Sequence, residues 1–163
     1  MARERKDNLN LSLWNKVKST DPKYTKEDKS RGFKMTSINP HYQILKATKA
    51  LGIFGTDNFR IKEENFKILE LGEDTTMVLY TSILEAKYEG QEISIPLHAT
   101  DYVKYKTSKG IKYEKEFAKK VATDALTKGL SKLGFNADVF MGMFDDKTYV
   151  KRQRRKYEDE EDD

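Results

Sequence analysis

YEKEFAKKVATDALTKGLSKLGF, residues 113–135, is the longest stretch of helical periodicity in the chain and the one richest in Lys. Phe117, Ala118, Val121, Ala122, Ala125, Leu126, Leu130 and Leu133 recur at three- and four-residue steps, which gathers them on one broad helical face. That face is core. Lys119, Lys120, Lys128 and Lys132 lie off it, Gly134 stands where a helix ends in a left-handed residue, and Gly129 leaves room for a backbone or ligand to come close. Basic residues on the outer face of a helix are also what an ordinary solvated amphipathic helix carries, so the pattern alone does not name a function.

Working outward, three segments upstream have strand character: Asn58–Leu69, Thr76–Tyr88 and Glu92–Tyr105. They are rich in β-branched and aromatic residues and are separated by the turn-formers Gly72-Glu73-Asp74 and Glu89-Gly90-Gln91. The expectation is α+β: a β-β-β-α core in which a curved antiparallel three-stranded meander packs on the long helix. Pro96 lacks a donor and predicts an edge or bulge in the third strand. Tyr102–Lys112 interleaves aromatics with Lys, a pattern suited to stacking bases and pairing phosphates along a single strand.

Before the strands, Asn39 as N-cap, Pro40 at the first helical position and Gly52 just past the end predict a helix over 40–51. Residues 1–36 read as a flexible, mostly polar N-terminal arm in which Leu13 to Val17 form a short helix or extended piece and Trp14 is a docking anchor on its own domain or a neighbour. The Lys-rich run that follows, through Asp21-Pro22 to Gly32, reads as a loop, either solvated or tracking phosphates. The main domain is expected over 37–150, and a tail over 151–163 switches from basic to acidic at Tyr157 and reads as disordered.

The 163 residues include no Cys and carry a formal charge of +4. Glu158 to Asp163 are consecutive acids; without those six, 31 basic face 21 acidic side chains, a net of +10. Such a field favours a polyanion, and nucleic acid over a membrane because no bulky apolar amphipathic helix accompanies it. No run of about 18 apolar residues and no apolar signal core is present, which predicts a cytoplasmic protein without a membrane partner. His41 and His98 are the only imidazoles, so a metal site is not expected, and the lack of a phosphate-cradling Gly-rich loop or a nucleophile–base pair predicts no enzyme and no cofactor. A metal-dependent nuclease built on Asp124, Asp145 and Asp146 is the weak alternative from another class, with a simple turn at Asp145-Asp146 as the plainer reading.

The order of these elements resembles the conserved half of the Rad-fifty-two superfamily of single-strand annealing proteins, most closely its small phage-encoded members. The resemblance spans about Ile38 to Val150. It is carried by Ile38-Asn39-Pro40-His41-Tyr42 through Leu51-Gly52, by Thr123-Asp124-Ala125-Leu126 with Leu130 and Gly134, and by Asp146-Lys147-Thr148-Tyr149. It implies a β-β-β-α core that forms homo-oligomeric rings or filaments, binds single-stranded DNA in a basic groove and anneals complementary strands in recombination or repair without ATP. A recombinase or replication protein is the further partner such a family implies, and a phage-encoded chain would act in the host cytoplasm. Tyr42 stands where another branch of the family has Arg, and Thr127, beside Lys128, where it has the groove Lys.

The expected DNA contacts are therefore Lys128 and Lys132 on the long helix, Tyr42 as a stacking residue, Lys46 as a lesser contact, and Lys104, Lys106 and Lys109 on the hairpin side. A passive single-strand-binding protein that coats replication intermediates on an OB barrel is the close alternative. Topology separates them, since an OB barrel needs five strands.

Overall fold

Asn39 accepts the backbone N–H groups of His41 and Tyr42 on its side-chain oxygen at 3.0 and 3.2 Å, and the capped helix runs over Pro40–Leu51, as the sequence predicts. The computed structural model describes residues 9–30 and 32–161, so Met1–Asn8, Arg31, Asp162 and Asp163, parts of the predicted arm, basic loop and acidic run, lie outside the described residues. In chain order the elements are α1 (Ser12–Val17), a 3-10 turn (Pro22–Tyr24), β1 (Thr25–Asp28), β2 (Met35–Ile38), α2 (Pro40–Leu51), β3 (Phe59–Glu70), β4 (Thr76–Tyr88), β5 (Gln91–Thr107), β6 (Gly110–Tyr113), α3 (Phe117–Lys132), α4 (Ala137–Phe140), a 3-10 turn (Met143–Asp145) and α5 (Lys147–Glu161). The class is α+β, and the chain divides into two compact units, 51–129 and the pairing of 1–50 with 130–163.

In the first of these units, β3, β4, β5 and β6 form one antiparallel sheet in sequence order. The meander is thus four-stranded, a correction to the three strands expected. The fourth strand is short, and its residues Gly110–Tyr113 alternate too briefly to read as a strand until β5 supplies the ladder. Glu89 and Gly90 both take positive φ, 48° and 76°, and close the two-residue turn from β4 to β5 that suits strand twist. In β3 the apolar parity switches from Phe59 and Ile61 to Phe66 and Ile68, and a register shift between Lys62 and Asn65 restores a common face. Pro96 falls where β5 has β4 on one side only.

One face of this sheet is core: Val78, Tyr80, Leu84 and Ala86 of β4 are buried, with Leu97 and Ala99 beside them on β5. Val121 and Ala125 of α3 are buried, and Gly129 completes their four-residue step. A Cβ at Gly129 would run into the Leu97 side chain, so the space that glycine leaves is filled by the sheet rather than by a ligand. Ala118, expected on the core face, is exposed, because the helix presents a narrower stripe than its apolar pattern allows.

In the other unit, Val17–Asp21 is the hub. Asn136 and Asp138 donate their backbone N–H groups to the carbonyls of Val17 and Lys18, at 3.0 and 3.1 Å. The buried Asp138 carboxylate accepts from the Thr20 N–H at 2.8 Å, the Thr20 hydroxyl at 2.6 Å and the Tyr149 hydroxyl at 2.8 Å. Trp14 lies against Gly134, whose φ is +99° and whose missing side chain leaves the indole its place. Trp14 is therefore an anchor within its own unit.

Two expectations change here. The described residues of 9–36 hold a helix, a 3-10 turn and most of a two-stranded hairpin rather than a flexible arm, and Thr20, Asp21 and Pro22 are buried where a loop, solvated or tracking phosphates, was the expectation. The tail is helical through Glu161, because Tyr149 and Tyr157 tie α5 inward, the latter sharing a 2.7 Å hydrogen bond with the Ser19 hydroxyl. No described helix is long and apolar enough to cross a membrane.

Candidate nucleic-acid interface

Paired residues of antiparallel strands share a face, so the register of β5 with β6 sorts the hairpin's side chains. Lys104 opposes Tyr113 and Lys106 opposes Ile111, which puts two ammonium groups, a phenol ring and an apolar side chain on one side. Tyr105 opposes Lys112 and points with it to the other side. Tyr113 is 66% exposed and Tyr102 is 47% exposed, and the Tyr102 and Tyr105 rings lie 5.6 Å apart. Lys109 sits in the turn between the strands, which the Thr107 hydroxyl closes by donating to the Gly110 carbonyl at 2.9 Å. The tyrosines were visible in the sequence as a Tyr-x-x-Tyr alternation with Lys; what the sequence lacked was β6, which brings Tyr113 back beside Lys104.

The lysines on this hairpin have weak internal partners. Lys104 donates to the Glu73 carbonyl at 2.9 Å, and Lys106 stands 3.8 Å from the Asp74 carboxylate with its side chain largely exposed. An exposed ion pair of this kind contributes about 0–1 kcal/mol, so a phosphate can displace it at small cost. On α3, Lys128 is exposed and donates to Asp124 at 2.7 Å, one helical turn before it. Lys132, a turn further on, is exposed as well. Lys120 pairs with Glu114, which raises the ammonium's pKa through that hydrogen bond and holds it charged.

Two of the predicted contacts are committed elsewhere. The Tyr42 ring is buried and stacks on Tyr24, with centroids 4.2 Å apart and planes 12° from parallel, and its hydroxyl accepts the Asp21 N–H at 3.2 Å. Burial raises its pKa above the ordinary phenol range. Its stacking partner is thus protein, and it offers no open face to a base. The Lys46 ammonium donates to the carbonyls of Val17, at 2.8 Å, and Ser19. Burial pulls its pKa down to about 8. Lys46 holds the Val17–Asp21 hub in place and is not a surface cation.

Two of the three acids of the nuclease alternative have structural duties. Asp124 pairs with Lys128, and Asp146 caps α5 by accepting the Thr148 N–H at 2.8 Å. Among the described residues, no group of three or more His, Cys, Asp or Glu side chains is gathered as metal ligands would be. No protein-family model matches the chain, and a search of curated proteins finds no match.

Proposed function

We propose that this chain is a single-stranded DNA-binding and strand-annealing protein that works as a homo-oligomer without nucleotide hydrolysis, in recombination or repair. The observation that carries the proposal is the β5–β6 hairpin, where exposed Tyr113 stands with Lys104 and Lys106 on one side, Lys109 sits in the turn, and exposed Tyr102 lies with Tyr105 on the other side. Phosphate contacts by flexible ammonium groups neutralise a strand without reading its sequence, and aromatic faces accept any base. Annealing needs that combination, since two strands must lose their mutual repulsion while their base edges stay accessible.

The finer part of the proposal is the Rad-fifty-two-like arrangement itself: a capped helix, a curved meander and a Lys-rich helix, to which β6 is an addition. Lys128 and Lys132 are assigned to the phosphate groove on α3. Assembly is supported by the sheet's edges: among the described strands β3 pairs with β4 alone, and Phe66 and Ile68 on that strand are 43% and 48% exposed although they share a face with buried Tyr80 and Val78. A neighbouring copy covering that edge would also multiply weak Lys contacts into useful avidity.

The test is pairing of two complementary fluorescent oligonucleotides at several salt concentrations, without nucleotide or metal. Pairing faster than the protein-free rate is the expected result. Tight binding with slowed pairing would replace annealing by passive coating of single strands, and absence of binding would remove DNA as the ligand.

A further inference from the structure

The inner face of α5 is fixed by three residues at four-residue steps. Tyr149 donates to Asp138, Gln153 is buried, and Tyr157 bonds Ser19 through both the hydroxyl and the carbonyl, at 2.7 and 3.1 Å. With that face committed, the cations of the run Lys151-Arg152-Gln153-Arg154-Arg155-Lys156 are exposed, the Arg152 guanidinium lying 5.4 Å from the Tyr149 ring and the Lys156 ammonium 5.6 Å from that of Tyr157. Lys151, Arg152, Arg155 and Lys156 line one shallow cleft together with Thr148, Asp159 and Glu160. Arg154 belongs to a different, smaller cleft beside Asp21 and Glu158. Among the described residues, no carboxylate lies within 4.0 Å of the four cations of the first cleft, whereas Lys106, Lys120 and Lys128 all have one.

We infer that the outward face of α5 is a second polyanion-binding site, which takes the sugar–phosphate backbone of a nucleic acid, and that Asp159 and Glu160 at its end limit its occupancy. The choice of nucleic acid over an anionic membrane follows from the residues. Exposed positions of α5 carry no bulky apolar side chain that would enter a bilayer, and two of the four cations are Arg, whose planar fork matches phosphate. Asp159 and Glu160 follow Arg155 and Lys156 by four residues, the spacing at which helical side chains meet. A carboxylate there competes with phosphate for the same cation. Glu161 is paired with Lys23 instead.

This inference does not depend on annealing, and its test reads binding alone. Anisotropy of a fluorescent oligodeoxythymidylate would be titrated with the full chain, with a Lys151→Gln/Arg152→Gln/Arg155→Gln/Lys156→Gln variant, and with a charge-matched variant carrying Lys26→Gln, Lys49→Gln, Lys67→Gln and Lys87→Gln. The α5 variant should bind about tenfold more weakly, with a salt slope lower by roughly 2 to 3, while the matched variant changes much less. Asp159→Asn/Glu160→Gln should bind several-fold more tightly. Circular dichroism checks folding, and Lys151→Gln/Arg155→Gln is read instead if the fourfold variant unfolds. Equal losses in both charge-deleted proteins, or no loss in either, would overturn the site. So would α5-dependent binding to phosphatidylserine vesicles with none to the oligonucleotide. Unchanged affinity in Asp159→Asn/Glu160→Gln would overturn the acidic limit.

Discussion

Asp138 grips Thr20 with both carboxylate oxygens, one on the backbone N–H at 2.8 Å and one on the hydroxyl at 2.6 Å, across 118 positions of sequence. Both residues are buried, and the Tyr149 hydroxyl adds a third donor to the same carboxylate. With the Val139 N–H at 2.9 Å the carboxylate has four donors, which offset the desolvation of one charge, and those from Thr20 and Tyr149 tie the two sequence segments into one unit.

Asp138→Ala should therefore lower the unfolding free energy by about 3 kcal/mol or more, because it strands three buried donors. Thr20→Val should cost about 1–2 kcal/mol, since the backbone N–H keeps its partner. Urea unfolding followed by tryptophan fluorescence is a direct check, as Trp14 sits in the same unit. Equal stability of Asp138→Ala and the parent protein would show that the carboxylate is dispensable.

Gly129→Ala should destabilise by about 1–2 kcal/mol despite the better helix propensity of Ala, because the added methyl meets Leu97. In a Leu97→Ala background the same change should cost less, or become favourable. A double-mutant cycle measured by chemical denaturation reads the coupling, and strict additivity would mean that helix and sheet do not touch there.

Lys46 and the surface lysines should separate cleanly. Lys46→Met should cost about 1–2 kcal/mol of stability by removing one of the two donors at each of the Val17 and Ser19 carbonyls, which keep the Asn136 N–H and the Tyr157 hydroxyl, with little effect on DNA affinity well below the unfolding temperature. Lys128→Glu/Lys132→Glu should instead leave stability nearly unchanged, weaken single-strand binding by about 1 kcal/mol or more per contact and flatten the salt slope by roughly 0.7 per contact. Wild-type affinity and slope in the double variant would take α3 out of the site.

Alkaline titration should bend the stability curve twice. Burial holds Lys46 near 8 against 10.5 for a free ammonium, so the unfolded chain binds that proton more tightly and stability rises as pH climbs from about 8 toward 10.5. Tyr42, Tyr149 and Tyr157 are raised by burial above the ordinary value, so their contribution is intact below about 10 and is lost as pH rises through the folded values. Urea midpoints from pH 7 to 12 should pass through a maximum. Lys46→Met should lack the rising limb, and a profile identical to wild type would remove Lys46 as its source.

The local pattern was legible wherever short-range chemistry decides. Asn39-Pro40 and Gly52 bound α2 because capping and glycine freedom act within a turn, and the interruption between Ile61 and Phe66 already contained the bulge. The alternation of Lys with Tyr over 102–112 was legible as a pattern, and the β5–β6 ladder adds which of these side chains share a side. Tyr42 and Lys46 could not be judged that way: each looks like a surface residue until Tyr24 stacks on one and the carbonyls of Val17 and Ser19 take the other. The KRQRRK run was equally ambiguous, since charge that suits a disordered tail also suits the outside of a helix whose other face carries Tyr149, Gln153 and Tyr157.

By itself, then, the sequence determined the α+β class, the helix over 40–51, the long strands, the long Lys-rich helix and the basic balance of the chain, because propensity, periodicity and charge are properties of neighbouring residues. Only the tertiary structure decided that β6 joins the sheet, that Val17–Asp21 is a buried hub and that the acidic stretch through Glu161 stays helical. Those outcomes rest on Thr20 with Asp138, Ser19 with Tyr157 and Lys104 opposite Tyr113. Such pairings form when distant segments exclude water together, and nothing in a residue's immediate neighbours encodes them.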